Sequence, residues 1–210
     1  MYKKFGKRLI DLILSAVGII VLSPVWLIVA IAIKVDDPGP VFFRQKRIAQ
    51  DKKGEKQFFQ IYKYRSMKMC TPKDMPTHML ENPEQYITKV GGFLRKTSLD
   101  ELPQIFNIFA GQMSVIGPRP ALWNQDDLYA ERAKYGANAI KPGLTGWAQI
   151  NGRDELPIDV KAKLDGEYVE KLSFGFDVKC FLGTIASVLK REGVVEGGTG
   201  AMEKEEANKK

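Results

Sequence analysis

The segment Lys96-Thr97-Ser98-Leu99-Asp100-Glu101-Leu102-Pro103-Gln104 sets two adjacent carboxylates at the predicted mouth of a helix. Ser98 with Glu101 three residues on has the form of a capping box, so both residues can serve simply to start that helix. Pro103 is tolerated near a helix start, which agrees with a beginning between Ser98 and Asp100. The same geometry suits chemistry. Free N–H groups at a helix N-terminus favour anions, stabilising a bound phosphate and keeping a nearby carboxylate ionised. An ionised Asp100 can attack phosphorus, or hold a divalent metal that neutralises phosphate charge. Spacing alone leaves the capping and the catalytic readings both open.

Further basic residues could complete a phosphate site. In Gly117-Pro118-Arg119-Pro120 the flanking prolines restrict the backbone, so the Arg119 fork is presented with little ordering cost. The run Pro142-Gly143-Leu144-Thr145-Gly146-Trp147-Ala148-Gln149-Ile150-Asn151-Gly152-Arg153 combines three glycines, an aromatic ring, the amides of Gln149 and Asn151, and Arg153. Close backbone approach with an arginine fork suits a nucleotide diphosphate, whereas Trp147 taken singly reads as core more readily than as a base-stacking platform. Lys63, in Ile61-Tyr62-Lys63-Tyr64-Arg65, alternates with apolar neighbours on a predicted strand and lies either on a solvated face or in the site. Asp126-Asp127 reads as a surface helix start rather than a sugar-nucleotide metal motif.

Composition narrows the chemistry further. His78 is the one histidine, which argues against Ser-His-Asp or Cys-His catalysis and most zinc sites, leaving carboxylates, Lys and Arg to carry a reaction. Cys70 and Cys180 are far apart and fit no metal spacing, so a reducing compartment with free thiols is expected. Lys and Arg number 32 against 25 Asp and Glu, a net charge of +7. That balance suits nucleic acid, an anionic membrane surface or a phosphorylated substrate. Nucleic acid is disfavoured because the basic residues flank an apolar stretch instead of forming one aromatic-studded face.

That apolar stretch, Leu9 to Ile33 (LIDLILSAVGIIVLSPVWLIVAIAI), exceeds the roughly 20 residues a helix needs to cross a bilayer. A cleaved signal peptide fits less well, because no A-x-A-like site follows it. Ser23 and Pro24 interrupt it near the middle, and basic residues flank both ends: Lys3, Lys4, Lys7 and Arg8 before, Lys34, Arg44, Lys46 and Arg47 after. The positive-inside rule then puts both ends in the cytoplasm, which favours a re-entrant helix-break-helix over a kinked span.

Downstream, residues 41–67 predict two short strands around a polar Asp51–Gly54 turn, and Ser66 to Lys89 an irregular excursion carrying Pro72, Pro76 and Pro83. Helices are expected from near Ser98 to Ala110, from Asn124 to Tyr135, from Val160 to Leu172 and from Val178 to Arg191. The short helix with Ile105, Phe106, Ile108 and Phe109 suits core packing or a membrane surface equally. The fold class is α+β: an anchor in residues 1–35, a mostly helical catalytic domain with a small β element and interfacial amphipathic helices in 36–192, and a Gly- and charge-rich, disordered tail in 193–210.

From Lys3 to Glu192 the chain resembles the bacterial sugar transferases, the small monotopic phosphoglycosyl transferases. The likeness rests on the Ser23-Pro24 break, FFRQKRI, IYKYRSM, KTSLDELPQIFNIFAGQMSVIGPRPAL, KPGLTGWAQINGR and the late YV…LSF…D segment, in that order. The resemblance implies that Asp100 is a nucleophile attacking the β-phosphorus of a UDP-sugar, releasing UMP and retaining a phospho-sugar. Undecaprenyl phosphate then takes up that group. It further implies that Glu101 is the dyad partner, that Asp100 binds Mg²⁺, that Lys63 and Arg119 contact phosphate, and that Arg153, with Gln149 nearby, recognises the nucleotide. The Ser-Pro break implies a re-entrant helix at the cytoplasmic face of the bacterial inner membrane. Ala49, where many relatives have glycine, and Ser66, where threonine is common, depart from the pattern in local loops only. The larger relatives' extra N-terminal membrane helices have no counterpart here, which implies the minimal form. Two rival readings stay in view, a non-catalytic basic membrane protein and a conventional glycosyltransferase. Neither the sugar, the glycoconjugate pathway nor the oligomeric state is legible.

Overall fold

The computed structural model describes residues 2–71, 82–152 and 156–190. The apolar stretch forms two helices, α1 (Lys7–Val21) and α2 (Ser23–Asp36). Leu22 between them leaves helical geometry at φ −87° and ψ 5°, and Pro24 has no N–H to continue the ladder, so the two axes bend by 61°. The Trp26 indole N–H bridges this break, donating to the Ile19 carbonyl at 3.2 Å. Among the described residues no single helix is long and apolar enough to cross a membrane, but the bent pair passes that test together. Leu9, Ile13, Val17 and Ile20 of α1 and Leu27, Ile28, Ile31 and Val35 of α2 are exposed. Val29 and Ile33 turn inward, into a cluster with Tyr64 and Leu94.

The body is α+β, as the pattern of elements implies. Strands β1 (Phe42–Ile48) and β2 (Phe58–Tyr64) pair antiparallel, with Phe43 opposite Lys63 and Ile48 opposite Phe58. Lys52 and Glu55 bond reciprocally across their turn, where Lys53 and Gly54 take positive φ. Four helices of the body matter most for position: α3 (Lys89–Lys96), α4 (Gln104–Phe109), α5 (Asp126–Ala133) and α6 (Trp147–Ile150). β3 (Ser114–Ile116) and β4 (Gly143–Thr145) form a second, parallel pair. The long α7 (Ile158–Lys171) and α8 (Phe174–Lys190) close the chain, α8 beginning one turn earlier than expected.

Two expectations fail around the carboxylates. Ser98 caps nothing: it adopts a left-handed φ of 56°, and no capping box forms because Glu101 turns to other partners. The single helix expected from Ser98 to Ala110 is instead a 3₁₀ turn at Leu99–Glu101 followed by the six-residue α4. Helix α3 was hidden by Gly91 and Gly92, poor helix formers. Packing overrides propensity there: a Cβ on Gly91 would collide with the Ser66 backbone. Thr88 Oγ1 accepts from the Gly91 N–H and Asp36 from the Val90 N–H, both at 2.8 Å, so the cap comes partly from α2. Met67 and Ile87 form an isolated bridge, while Pro72, Met75, Pro76, His78, Met79 and the tail from Gly193 lie outside the described residues.

Candidate active site

Asp100 and Glu101 sit in the tight turn between α3 and α4, and their surroundings differ sharply. Glu101 is held from two directions. Lys63 Nζ, on β2, reaches its Oε1 at 2.8 Å. The Arg119 fork takes both oxygens, at 2.7 Å to Oε1 and 3.2 Å to Oε2. Burial pushes the Glu101 carboxyl up, but the charges and hydrogen bonds of Arg119 and Lys63 outweigh it, so the group lies well below the usual carboxylate range. Among the described residues nothing donates a hydrogen bond to the Asp100 carboxylate. Its pKa is raised: burial dominates, the Glu101 charge adds to it, and Lys63, Arg95 and Arg119 offset only part. The positive potential at Asp100 therefore comes from side chains rather than from a helix N-terminus, since α4 begins only at Gln104.

Each partner has a structural reason for its position. Asn107, fully buried on α4, accepts from the Tyr62 N–H at 3.0 Å and donates to the Gln60 carbonyl at 2.8 Å. Those two bonds fix β2 against the dyad turn and so aim Lys63. The backbone before Arg119 is locked to the β4 loop, the Gly117 N–H donating to Thr145 O and the Gly143 N–H to Pro118 O, each at 2.8 Å. Its carbonyl accepts from Arg132 at 3.0 Å, and Arg132 is paired with buried Asp165 at 2.7 Å.

Of the site residues expected from sequence, Asp100, Glu101, Lys63 and Arg119 come together. Gln149 stands on α6, its Nε2 donating to Leu144 O at 3.2 Å and its buried Oε1 without a partner among the described residues. Arg153 lies outside the described residues. Gly143 and Gly146 of the 142–153 run do different work from that expected. A Cβ on Gly143 or Gly146 would meet the Gly117 backbone, so these residues permit two loops to pack rather than a ligand to approach. Trp147 packs against Phe176 with centroids 4.9 Å apart, in agreement with the core reading. α5 starts at Asp126, with Asp126 and Asp127 exposed in its first turn, again as expected; Asp126 also pairs with Lys56 at 2.5 Å. Arg95, whose Nε donates to Ser66 at 2.9 Å, was missed; its signal is its place in the last turn of α3, five residues before Asp100.

Among the described residues no group of three or more His, Cys, Asp or Glu could hold a metal. The residues still fit Mg²⁺, which commonly takes one or two carboxylates plus substrate phosphates. Asp100 offers a carboxylate that no hydrogen-bond donor claims among the described residues, while Glu101 is already neutralised.

A sequence profile of the bacterial sugar transferases matches residues 2–191. The chain belongs to this family. Among bacterial sugar transferases and their relatives, it is 39% identical over 186 residues to UDP-glucose:undecaprenyl-phosphate glucose-1-phosphate transferase of Escherichia coli, covering 85% of this chain and 39% of that protein. It is 34% identical over 205 residues to undecaprenyl-phosphate galactose phosphotransferase of Salmonella typhimurium, covering 90% and 42%. With the exopolysaccharide production protein PSS of Rhizobium leguminosarum it shares 36% over 197 residues, covering 88% and 96%. The chain thus spans about two fifths of the first two relatives and nearly all of the third.

Proposed function

We propose that this bacterial sugar transferase moves a sugar 1-phosphate from a UDP-sugar to undecaprenyl phosphate, an early membrane step of glycoconjugate assembly. The observation that carries the reading is the division of labour between adjacent carboxylates. Glu101 is neutralised and held by Lys63 and Arg119, while among the described residues no hydrogen-bond donor claims the Asp100 carboxylate. An Asp100 oxygen attacks the β-phosphorus, and the bond from that phosphorus to the bridging oxygen breaks. UMP leaves with the bridging oxygen and a phospho-sugar stays on Asp100. A phosphate oxygen of undecaprenyl phosphate then attacks the same phosphorus and displaces the aspartate, giving the polyprenyl-diphosphate sugar. Lys63 and Arg119 hold the charged oxygens and can exchange Glu101 for phosphate. Mg²⁺ held by Asp100 would neutralise the diphosphate. Gln149 and Arg153 are assigned to the nucleotide side.

The bent helix pair is read as a re-entrant anchor facing the cytoplasm. Both outer ends are tied to the same body: Arg8 donates to Ile108 O and Phe109 O at 2.7 and 2.8 Å, and Asp37 pairs with Arg65. Fifteen residues of helix span about 22 Å, so two arms sharing a 61° bend dip about 11 Å, less than half the hydrocarbon core. The names of the relatives support the donor and acceptor classes.

The test supplies the purified chain with UDP-sugars, undecaprenyl phosphate and Mg²⁺ and identifies the nucleotide released. UMP, together with a phospho-sugar adduct on Asp100 that Asp100→Asn lacks, supports the proposal. UDP would indicate a conventional glycosyltransferase, and no nucleotide a lipid-binding protein without catalysis.

A further inference from the structure

The dyad turn lies between two short helices, and each is fastened to a different arm of the bent pair. On one side, α3 takes its second capping acceptor from α2, through Asp36 to the Val90 N–H at 2.8 Å. Leu99 and Leu102, which flank the two carboxylates, pack against the buried cluster that holds Val29 and Ile33 of the same arm. On the other side, α4 ends in the fork of Arg8 from α1, which closes the Ile108 and Phe109 carbonyls. The Ile108 carbonyl also accepts from the Gly111 N–H at 2.9 Å, so Arg8 adds a second donor there and reaches the Phe109 carbonyl beyond it. Gly18 of α1 also receives Ile105, since a Cβ there would overlap that side chain. Trp26 joins the halves: it donates across the break to Ile19 O and lies 5.2 Å from the Phe106 ring on α4.

We propose that the bent pair is part of the catalytic machinery as well as an anchor, with Arg8 and Asp36 as positioning residues that fix the dyad turn from its two flanks. The angle between the arms then sets the spacing of α3 and α4, and with it where Asp100 stands relative to Lys63 and Arg119. The proposal rests on the transferase reading. It extends that reading by making the geometry at phosphorus depend on how the arms sit in lipid.

The experiment uses the full chain in lipid nanodiscs, comparing Arg8→Lys, Asp36→Ala and Asp36→Asn with the parent. Arg8→Lys keeps the positive flank but cannot close two carbonyls, and Asp36→Asn keeps an oxygen for the Val90 N–H. Arg8→Lys and Asp36→Ala are expected to lower kcat for UMP release about tenfold or more, with KM for the UDP-sugar nearly unchanged, because small misplacements of a reacting group are costly. Asp36→Asn restores most of the rate. Amide hydrogen exchange at Glu101 and Leu102 quickens in the two impaired variants, while flotation with vesicles is retained. Parent-like kcat and exchange in both would overturn the proposal. So would rates that fall only in step with lost flotation, since the arms would then be anchors alone. A parent chain that releases no UMP sinks the transferase reading instead, and hydrogen exchange still reports whether the arms hold the turn.

Discussion

Arg119–Glu101 and Arg132–Asp165 are the same ion pair in two settings, joined through the Arg119 carbonyl that Arg132 caps. The inner pair is closed, its side chains 7% and 1% exposed, with one arginine facing one carboxylate. Burial there exceeds what Arg132 and the charge of Lys161 return, so the Asp165 pKa is raised. The outer pair is 33% and 17% exposed, and a second cation, Lys63, shares the carboxylate. Glu101 falls well below the usual range as a result. The inner pair is thus part of the frame. The outer one is a more exposed store of positive charge, which the proposed mechanism turns to an incoming phosphate.

The comparison breaks most visibly at the inner pair. Asp165→Asn leaves a buried guanidinium without its counter-charge and is expected to lower unfolding stability by about 3–5 kcal/mol, read by denaturant titration. Activity should fall only as the folded fraction falls. The outer pair gives the reverse pattern. Arg119→Lys removes the fork but keeps the charge, and UMP release should drop about ten- to a hundredfold, with stability changed by no more than about 1 kcal/mol.

A pH profile sharpens the contrast within the dyad. In the proposed mechanism Asp100 attacks when ionised, and its folded-state pKa lies above 3.8, so activity is expected above that folded value and is lost as pH falls through it. Glu101→Gln removes a like charge and frees Lys63 and Arg119 for Asp100, moving the acid limb of the rate profile to lower pH. The stability linkage of Glu101 has the depressed-pKa sign. Its contribution is present above its ordinary 4.5 and is lost as pH falls towards the folded value. Unfolding of Glu101→Gln should therefore depend less on pH below 4.5 than unfolding of the parent. The smallest effect is expected at Lys56–Asp126, where the carboxylate is 82% exposed: Asp126→Asn should change thermal unfolding by less than about 0.5 kcal/mol.

Much of this was legible in the residues. The apolar run with its Ser23-Pro24 break, the hairpin around Asp51–Gly54, and the grouping of Asp100, Glu101, Lys63 and Arg119 all follow from local pattern or motif. What escaped was set by distant packing. Gly91 hides α3 because its reason for being glycine, the Ser66 backbone, is 25 residues away in sequence. Ser98 and Glu101 imitate a capping box because spacing alone does not reveal the stronger cations that claim Glu101. Asn107 gave no signal, since two of its side-chain bonds go to a strand 45 and 47 residues earlier. Gly143 and Gly146 were misread for the same reason: their neighbour is another loop, not a ligand.

The fastenings of α1 have a consequence for biosynthesis. Arg8 and Asp11 find their acceptors and donors at Ile108, Phe109, Ser114 and Val115, roughly a hundred residues further along. On the ribosome the apolar arms emerge well before any of those partners has been made. On the re-entrant reading proposed above, lipid shelters them first and the body closes around their polar ends afterwards, a long-range step that makes docking of the first arm late in folding.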